Sequence, residues 1–118
     1  MRLSGYTEET VELEQEVNEL HAGLCSALAD PKRIMILYTL AEKPRNVTEI
    51  AETLGHPQPT ISRHLRVLRE RGLVSTRRDG SAVVYTLADK RLITALDTLR
   101  AVLRDLVARN AEVAVALE

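Results

Sequence analysis

Hydrophobic residues near the amino terminus recur with helical spacing. Thr7 is a suitable N-cap, because its hydroxyl can accept a hydrogen bond from an amide of the first turn, where Glu8 and Glu9 suit the helix dipole. The apolar positions that follow are three or four residues apart and predict an amphipathic helix to about Leu28. They are Leu13, Val17, Leu20, Leu24 and Leu28. The other faces of this helix are mostly glutamate.

A second helix is predicted to begin at Asp30-Pro31. Asp30 is a good cap, and proline is tolerated in the first turn because its missing amide would have no partner there. The stretch EKPRN ends this helix. The residues expected to face inward are Ile34, Leu37, Leu40 and Ala41.

Two further helices are predicted to form a helix-turn-helix over residues 46–72. The stretch VTEIAETLG gives a short helix that is capped by Asn46 or Thr48 and closed by Gly55, a residue that tolerates the left-handed conformation. A second helix follows from about residue 57 to residue 71 and is closed by another glycine. A helix, a tight turn and a helix at this spacing are typical of this motif.

The next segment, residues 73–87, predicts a β-hairpin. Two runs rich in β-branched residues flank Asp79-Gly80, a strong hairpin signal when both turn residues adopt a positive φ. A hairpin directly after a helix-turn-helix is a wing. The predicted fold class is therefore mainly α with a β-hairpin wing.

A last helix is predicted over residues 89–110, and the stretch ARNAEVAVALE is expected to form a weakly polar tail. Leucines recur along this helix with heptad-like spacing. They are Leu92, Leu96, Leu99, Leu103 and Leu106. Because the first helix 1–29 also has an apolar face, each end of the chain has a leucine stripe with no partner in the predicted core.

Length and charge narrow the class of protein. The chain has 118 residues, which favours one domain over 1–118 with a thin core. Its net charge is −1, but the charges are unevenly distributed along the chain. Residues 1–30 carry one Arg against seven acidic residues, whereas residues 57–78 carry six Arg against one Glu. A local basic cluster of this kind is typical of a module that binds polyanions.

Several classes of function are disfavoured by composition. No apolar run approaches the length of a membrane span, and the start lacks the apolar region of a signal peptide, so a cytoplasmic location is expected. Three Tyr, with no Phe or Trp, disfavour binding by base stacking. The single cysteine excludes an intramolecular disulfide. No nucleophile-base constellation or phosphate-binding glycine loop points to an enzyme, and no cofactor is expected.

The segment HPQPTISRHLRVLRERG has the pattern of a DNA-recognition helix. Ile61, Leu65 and Leu68 fall on one side of the helix and are expected in the core. The opposite side carries amide and hydroxyl groups first and guanidinium groups later, which suits base contacts at the start of the helix and phosphate contacts along it. We expect contacts to the major groove from Gln58, Thr60, Ser62 and Arg63, to phosphate from Arg66, and from the wing through Arg77, Arg78 and Ser81.

His64 admits two interpretations. It lies beside Ile61, Leu65 and Leu68 in helical spacing, which favours a hydrogen-bonded structural histidine. It also lies within the basic segment, where a DNA contact is the alternative. His56 is interpreted as a solvated turn residue.

Three stretches together resemble the ArsR/SmtB family of bacterial winged helix-turn-helix repressors. They are ALADPKRIMILYTL, VTEIAETLGHPQPTISRHLRVLRERGLVSTRRDGSAVVYTL and the terminal leucine helix, and the resemblance covers about residues 20–108. It implies a homodimer joined through the first and last helices, a double-stranded DNA operator with twofold pseudo-symmetry, and release of DNA when an effector binds. Pro57 stands where members of the family often have a capping serine.

The metal ligands of the family are not matched. Its paired thiolates would fall at Asn46 and Thr48, which are not soft-metal ligands. Its terminal-helix zinc site would fall at Asp89, Arg91, Val102 and Asp105, where both imidazoles are missing. We therefore expect no metal at either location.

Cys25 is the remaining residue whose side chain could react with an effector or bind one. Its simplest interpretation is a small buried residue beside Leu24 and Leu28. The alternatives are a thiol-oxidation or persulfide switch, and a metal or arsenite site shared with His21, which lies four residues earlier.

Two classes of function remain open. The first is a dimeric DNA-binding regulator, most simply a repressor released by an effector. The second is a winged-helix module that docks proteins, with the acidic first helix as a partner surface. The dense outward arginines, together with Gln58 and Ser62, favour DNA.

Overall fold

A computed structural model describes residues 7–117. Residues up to Ala88 form one compact unit and residues from Asp89 onward form a second. The assignment of 1–118 to a single domain stays a prediction, and the first six residues of the predicted 1–29 helix lie outside the described part. No helix within residues 7–117 has both the length and the hydropathy that a membrane crossing requires.

The first helix, α1, spans Glu8–Leu20 and continues into a π turn, His21–Cys25. Thr7 caps it as predicted, since the hydroxyl of Thr7 accepts from the amide of Thr10 at 3.3 Å. No residue of α1 is buried, so its apolar face is not covered within this chain. The π turn was not foreseen, because the spacing of three and four residues does not distinguish it from an α-helix.

The second helix, α2, spans Pro31–Glu42, and its cap is Asp30 as predicted. The carboxylate of Asp30 accepts from the amide of Lys32 at 2.8 Å. Leu37 and Leu40 are buried, as expected. The expectation for Ala41 is wrong, because Ala41 is exposed and Ile36 is fully buried in its place on the inward side of the helix.

The third helix, α3, spans Val47–Leu54 and the fourth, α4, spans Gln58–Glu70. Of the two predicted caps of α3, Asn46 is the correct one. Gly55 closes α3 with a φ of 70°, the left-handed conformation that glycine adopts without strain. Three residues separate α3 from α4, and the two helices form the predicted helix-turn-helix.

The wing consists of strand β1, Val74–Asp79, and strand β2, Ala82–Leu87, paired antiparallel. The prediction for the turn was wrong. Asp79 pairs with Ala82 as the last residue of β1, so the loop is Gly80–Ser81, and only Gly80 has a positive φ. A positive φ at the first loop residue alone is the pattern of a type II′ turn, which requires nothing of Asp79.

The loop between α2 and α3 extends the wing. The backbone of Arg45 and that of Tyr85 exchange two hydrogen bonds, at 3.1 and 2.8 Å, and form an isolated antiparallel bridge at the outer edge of β2. The Arg45 side chain also reaches Glu42 at 2.7 Å and Thr53 at 3.1 Å. The wing is therefore held to the α2–α3 loop at one edge.

The core of the first unit is small and drawn from every element that supports the helix-turn-helix. Its largest fully buried side chains come from α2, α3, α4 and the start of the wing. They are Ile36, Leu37, Ile50, Ile61, Leu65, Leu68 and Leu73.

The second unit consists of helix α5, which spans Arg91–Leu117. Asp89 begins it by accepting from the amide of Arg91 at 2.8 Å. Leu96 is buried, and several later apolar residues are exposed, namely Leu99, Val102, Leu103, Leu106 and Val107. The predicted tail is wrong, because the helix continues through it to Leu117.

Candidate nucleic-acid interface

Helix α4 is anchored by one fully buried face. Ile61, Leu65 and Leu68 each have 0% of their surface exposed, as predicted from their spacing. Because these three residues fix the rotation of the helix, the opposite face must point away from the core. That face begins at Gln58 and continues along the basic part of the helix.

The structure places most of the predicted DNA-contacting residues of α4 on this outer face. Gln58, Ser62, Arg63 and Arg66 are exposed. Thr60 is half-buried in the first turn. A polar and basic surface therefore runs along α4, with the shorter hydrogen-bonding groups at its amino-terminal end.

The first turn of α4 is held from α3. Pro57 occupies the cap position and provides no side-chain hydrogen bond. The amide Nε2 of Gln58 donates to Oγ1 of Thr48 at 3.2 Å, across the turn of the motif.

Arg66 is paired in the free chain. Its Nε donates to Oε1 of Glu70, one turn later, at 3.2 Å. Both side chains are mostly exposed, so the attraction is weak and easily exchanged for a stronger anion.

His64 points towards the start of α2. Its Nδ1 lies 3.4 Å from a guanidinium nitrogen of Arg33, and its Nε2 lies 3.9 Å from a carboxylate oxygen of Asp30. The shorter distance suits an arginine N–H donating to a neutral ring, whereas the longer one is an electrostatic contact only. His64 is thus half-buried in a polar cluster, which is the arrangement expected of a hydrogen-bonded structural histidine.

Burial is the largest influence on His64 and lowers the pKa of its imidazole below the ordinary 6.5. Asp30 acts in the opposite direction, and the nearby charges of Arg33, Lys32 and Arg63 lower the pKa further. The pKa of Asp30 is itself lowered, chiefly by the hydrogen bond from the Lys32 amide. At neutral pH the cluster therefore contains a neutral imidazole, a carboxylate and a guanidinium.

The wing presents its predicted residues to solvent. Arg77 and Arg78 lie on β1 and Ser81 lies in the loop, and all three are exposed. Arg77 pairs in register with Val84 and Arg78 with Val83. The tip of the hairpin is thus a second basic surface in the same unit as α4.

Contacts of two arginines with residues 22–27 were not foreseen, one from Arg33 of α2 and one from Arg71 just after α4. Arg33 donates from Nε to the carbonyl of Ala27 at 2.6 Å and from a terminal nitrogen to that of Ser26 at 3.2 Å. Arg71, just after α4, donates to the carbonyl of Ala22 in the π turn at 3.0 Å. The Arg71 contact joins residues 49 positions apart, and no local pattern in the sequence indicates it.

Comparison with known proteins agrees with this architecture. The family model described as "Bacterial regulatory protein, arsR family" matches residues 30–76. The biofilm growth-associated repressor of Xylella fastidiosa is 38% identical over 91 residues, which cover 75% of this chain and 79% of that repressor. The chain belongs to the ArsR/SmtB family.

Two further ArsR/SmtB similarities add detail. The HTH-type transcriptional regulator KmtR of Mycobacterium tuberculosis is 43% identical over 65 residues, 55% of this chain, and the matched segment spans half the length of KmtR. A solution structure of Mb0332 from Mycobacterium bovis has a TM-score of 0.67 at 28% identity, covering 89% of this chain and 94% of that one. It is described as a homodimeric winged helix-turn-helix DNA-binding domain. The winged helix-turn-helix fold predicted from the sequence is confirmed.

Several of the positions at which the family resemblance places metal ligands hold side chains engaged in other contacts, namely Asn46, Thr48, Asp89 and Arg91. Asn46 and Glu49 form a reciprocal capping box at the start of α3. Asp89 is bound by Arg91, whose guanidinium lies 2.7 Å away and holds the pKa of the carboxyl at about 2. An amide engaged in a cap and a carboxylate paired with arginine are poor metal ligands, and the expected absence of a metal at these locations stays a prediction.

Cys25 is exposed, so its interpretation as a buried residue is wrong for this chain. It lies at the end of the π turn, and the first buried residue that follows it is Ala27. His21 is also exposed. Within residues 7–117, no three His, Cys, Asp or Glu side chains come together as a metal site.

Proposed function

We propose that this chain is a homodimeric, sequence-specific DNA-binding repressor of the ArsR/SmtB family, released from its operator by an effector, and that it is not an enzyme. The observation that carries the proposal is helix α4, whose buried leucine and isoleucine face fixes the direction of an exposed polar and basic face. The exposed arginines of the wing provide a second phosphate-binding surface in the same unit. Its place of action is the cytoplasm, where the operator is accessible.

The proposed DNA contacts follow the order of groups along α4. Gln58, Thr60, Ser62 and Arg63 contact base edges in the major groove, since an amide can pair with adenine and a guanidinium with guanine. Arg66 binds phosphate after leaving Glu70, because phosphate in the DNA backbone is a stronger anionic partner than an exposed carboxylate. These assignments place the specific contacts in the first half of the helix.

The wing contributes contacts that do not depend on sequence. Arg77, Arg78 and Ser81 bind the phosphate backbone beside the groove that α4 enters. His64 is assigned a structural role, since its two ring nitrogens face Arg33 and Asp30.

The dimer is proposed from two apolar faces. In α1, Leu13, Val17 and Leu20 have 59%, 48% and 46% of their surface exposed, and α5 exposes Leu99 and Leu103 to a similar degree. Exposed apolar side chains that recur along one helix mark an interaction surface. The homodimeric state of Mb0332 supports a second copy as that partner.

The effector is proposed to act outside the two metal locations known for the family. A thiol-reactive effector at Cys25 is the second candidate, because the exposure of this residue leaves its sulfur accessible to oxidants, persulfides and arsenite. The resulting charge or bulk at the end of the π turn would lie close to the carbonyls that Arg33 and Arg71 bind.

The experiment that tests DNA binding is fluorescence anisotropy on duplexes selected by the full-length chain, repeated over a series of salt concentrations. Three phosphate-binding arginines per protomer, Arg66, Arg77 and Arg78, give six contacts per dimer and a slope of about −5 in log affinity against log salt. A protein-docking module would show almost no slope, which would contradict the proposal.

Two matched variants separate base contacts from phosphate contacts. Arg78→Ala should weaken binding to all sequences alike and make the slope shallower by about 2, since each dimer loses two phosphate contacts. Arg63→Ala should relax base preference at one position of each half-site, with a loss of about 1 to 3 kcal/mol per site. Unchanged affinity and selectivity for Arg63→Ala would refute the placement of the recognition surface.

The effector is tested with the same assay. Zinc, arsenite and a persulfide donor are added to the protein–DNA complex of the original chain and of Cys25→Ser. Release by one agent from the original chain alone would identify Cys25 as the sensor. Release from neither chain would exclude Cys25 as a sensor for these three agents and leave a small-molecule effector.

A further inference from the structure

The amino-terminal end of α4 is the least self-supporting part of the recognition helix. Pro57 provides no side-chain cap, and Gln58 adopts a helical conformation directly before Pro59. The helical conformation is disfavoured for a residue that precedes proline, because the proline ring crowds the backbone of that residue. The first turn of α4 therefore depends on contacts from outside the helix.

The start of α3 is, by contrast, firmly held. The Asn46 side chain accepts from the Glu49 amide at 2.9 Å, and the Glu49 carboxylate accepts from the Asn46 amide at 3.0 Å. Thr48 lies between these two residues, so the capping box holds its backbone. Its hydroxyl is thus presented from a fixed backbone position.

The two turns are connected by the hydrogen bond from Gln58 to Thr48. Nε2 of Gln58 donates to Oγ1 of Thr48 at 3.2 Å. A glutamine amide has two N–H donors and one carbonyl acceptor, so one N–H and Oε1 remain available. Those are the two groups that pair with N7 and N6 of adenine in the major groove.

We propose that Thr48 is a positioning residue for base recognition: its hydroxyl fixes the side-chain amide of Gln58 so that the remaining N–H and Oε1 face an adenine edge. Thr48 itself needs no contact with a base. The inference rests on the proposed DNA-binding function and assigns one determinant of specificity to α3, outside the recognition helix.

The test is a double-mutant cycle resolved by base pair. Gln58→Ala first identifies the operator position that Gln58 recognises, as the position at which preference for A·T is lost. Thr48→Val, which keeps the shape of the side chain and removes the hydroxyl, should then reduce discrimination at that position about threefold to tenfold, the loss expected for one hydrogen bond. Discrimination at every other position should stay unchanged.

Two control variants separate positioning from general damage. Thr48→Ser keeps a hydroxyl and should keep the discrimination of the original chain. Thr53→Val makes the same substitution in the same helix, at a hydroxyl that bonds to Glu49 and Arg45 and not to α4, and should leave base preference unchanged.

The double variant tests whether Thr48 acts through Gln58. If Thr48 acts through Gln58, adding Thr48→Val to Gln58→Ala should cause no further loss of discrimination. An additive loss, or an equal weakening of all sequences, would overturn the inference, as would a Thr48→Val variant with the original discrimination. These outcomes differ from failure of the proposed function, in which the original chain itself would show no base preference.

Discussion

Removal of the Arg33 guanidinium is the most informative test of how α4 is held. Arg33 bonds to the carbonyls of Ala27 and Ser26 and to the ring of His64, so it joins the end of the first helix to the middle of α4. Arg33→Met keeps most of the aliphatic stem that packs in the half-buried site and removes every donor. The carbonyl of Ala27 would then lose its charged partner.

The size of the effect follows from the three contacts. The bond to Ala27 is 2.6 Å long and partly buried, and a hydrogen bond from a charged donor contributes about 1.5 to 3 kcal/mol. The bond to the exposed Ser26 carbonyl and the 3.4 Å contact to His64 contribute less than about 1 kcal/mol each. We expect the free energy of unfolding to fall by about 2 to 4 kcal/mol.

Urea unfolding at a fixed protomer concentration measures this loss, since the stability of a dimer depends on concentration. The midpoint should fall with an unchanged m-value. Arg69→Met is the control, because Arg69 is an exposed arginine on α4, the helix that Arg33 is expected to support. A loss below about 0.5 kcal/mol, or one equal to that of Arg69→Met, would refute the view that Arg33 supports α4.

The remaining predictions concern the turn of the motif and the histidine cluster. Gly55→Ala should destabilise the fold by about 1 to 2 kcal/mol, because alanine is strained at a φ of 70° even though the site has space for its methyl group. Gly23→Ala should be neutral or stabilising, because alanine favours a helical conformation and the site is open. Thermal unfolding compares the two. The pKa of His64 in the folded chain lies below 6.5, so the unfolded chain binds the proton more readily. The free energy of unfolding should therefore fall as the pH drops through about 6.5, and His64 should have no effect on it at higher pH. His64→Gln should remove that pH dependence, and an unchanged profile would contradict the cause.

The buried face of α4 and the end of α3 could be predicted from the local sequence pattern. Ile61, Leu65 and Leu68 occupy the core because three residues on one face of a helix can only be buried together, and Gly55 ends α3 because a left-handed residue is needed there. The outward direction of Arg63 and Arg66 follows from the same geometry. Most of the candidate interface was therefore available from the sequence.

The hairpin turn and the end of α5 were predicted wrongly because the local sequence at each place is compatible with more than one structure. Asp79-Gly80 and Gly80-Ser81 are both acceptable hairpin loops, and strand register, not turn composition, selects the second. The last eleven residues contain alanines and neither Gly nor Pro, so nothing in them ends α5.

Contacts over long sequence separation account for the rest. The bond from Arg71 to Ala22 and the contact of Arg33 with His64 depend on the tertiary position of α4, which no spacing rule supplies. Cys25 and the apolar side chains of α1 are both exposed, which the helical spacing of this segment could not predict.

The bridge between Arg45 and Tyr85 also determines how the wing meets other strands. It pairs the outer edge of β2 at Tyr85, whereas no residue within 7–117 pairs with the outer edge of β1. An open edge invites pairing with strands of other molecules, and charged side chains along it oppose such pairing. Arg77 and Arg78 lie on β1, so we expect them to oppose aggregation in addition to any contact with DNA. Variants that neutralise both arginines should therefore lose colloidal stability, and their monodispersity must be measured before a weakened affinity is attributed to the missing phosphate contacts.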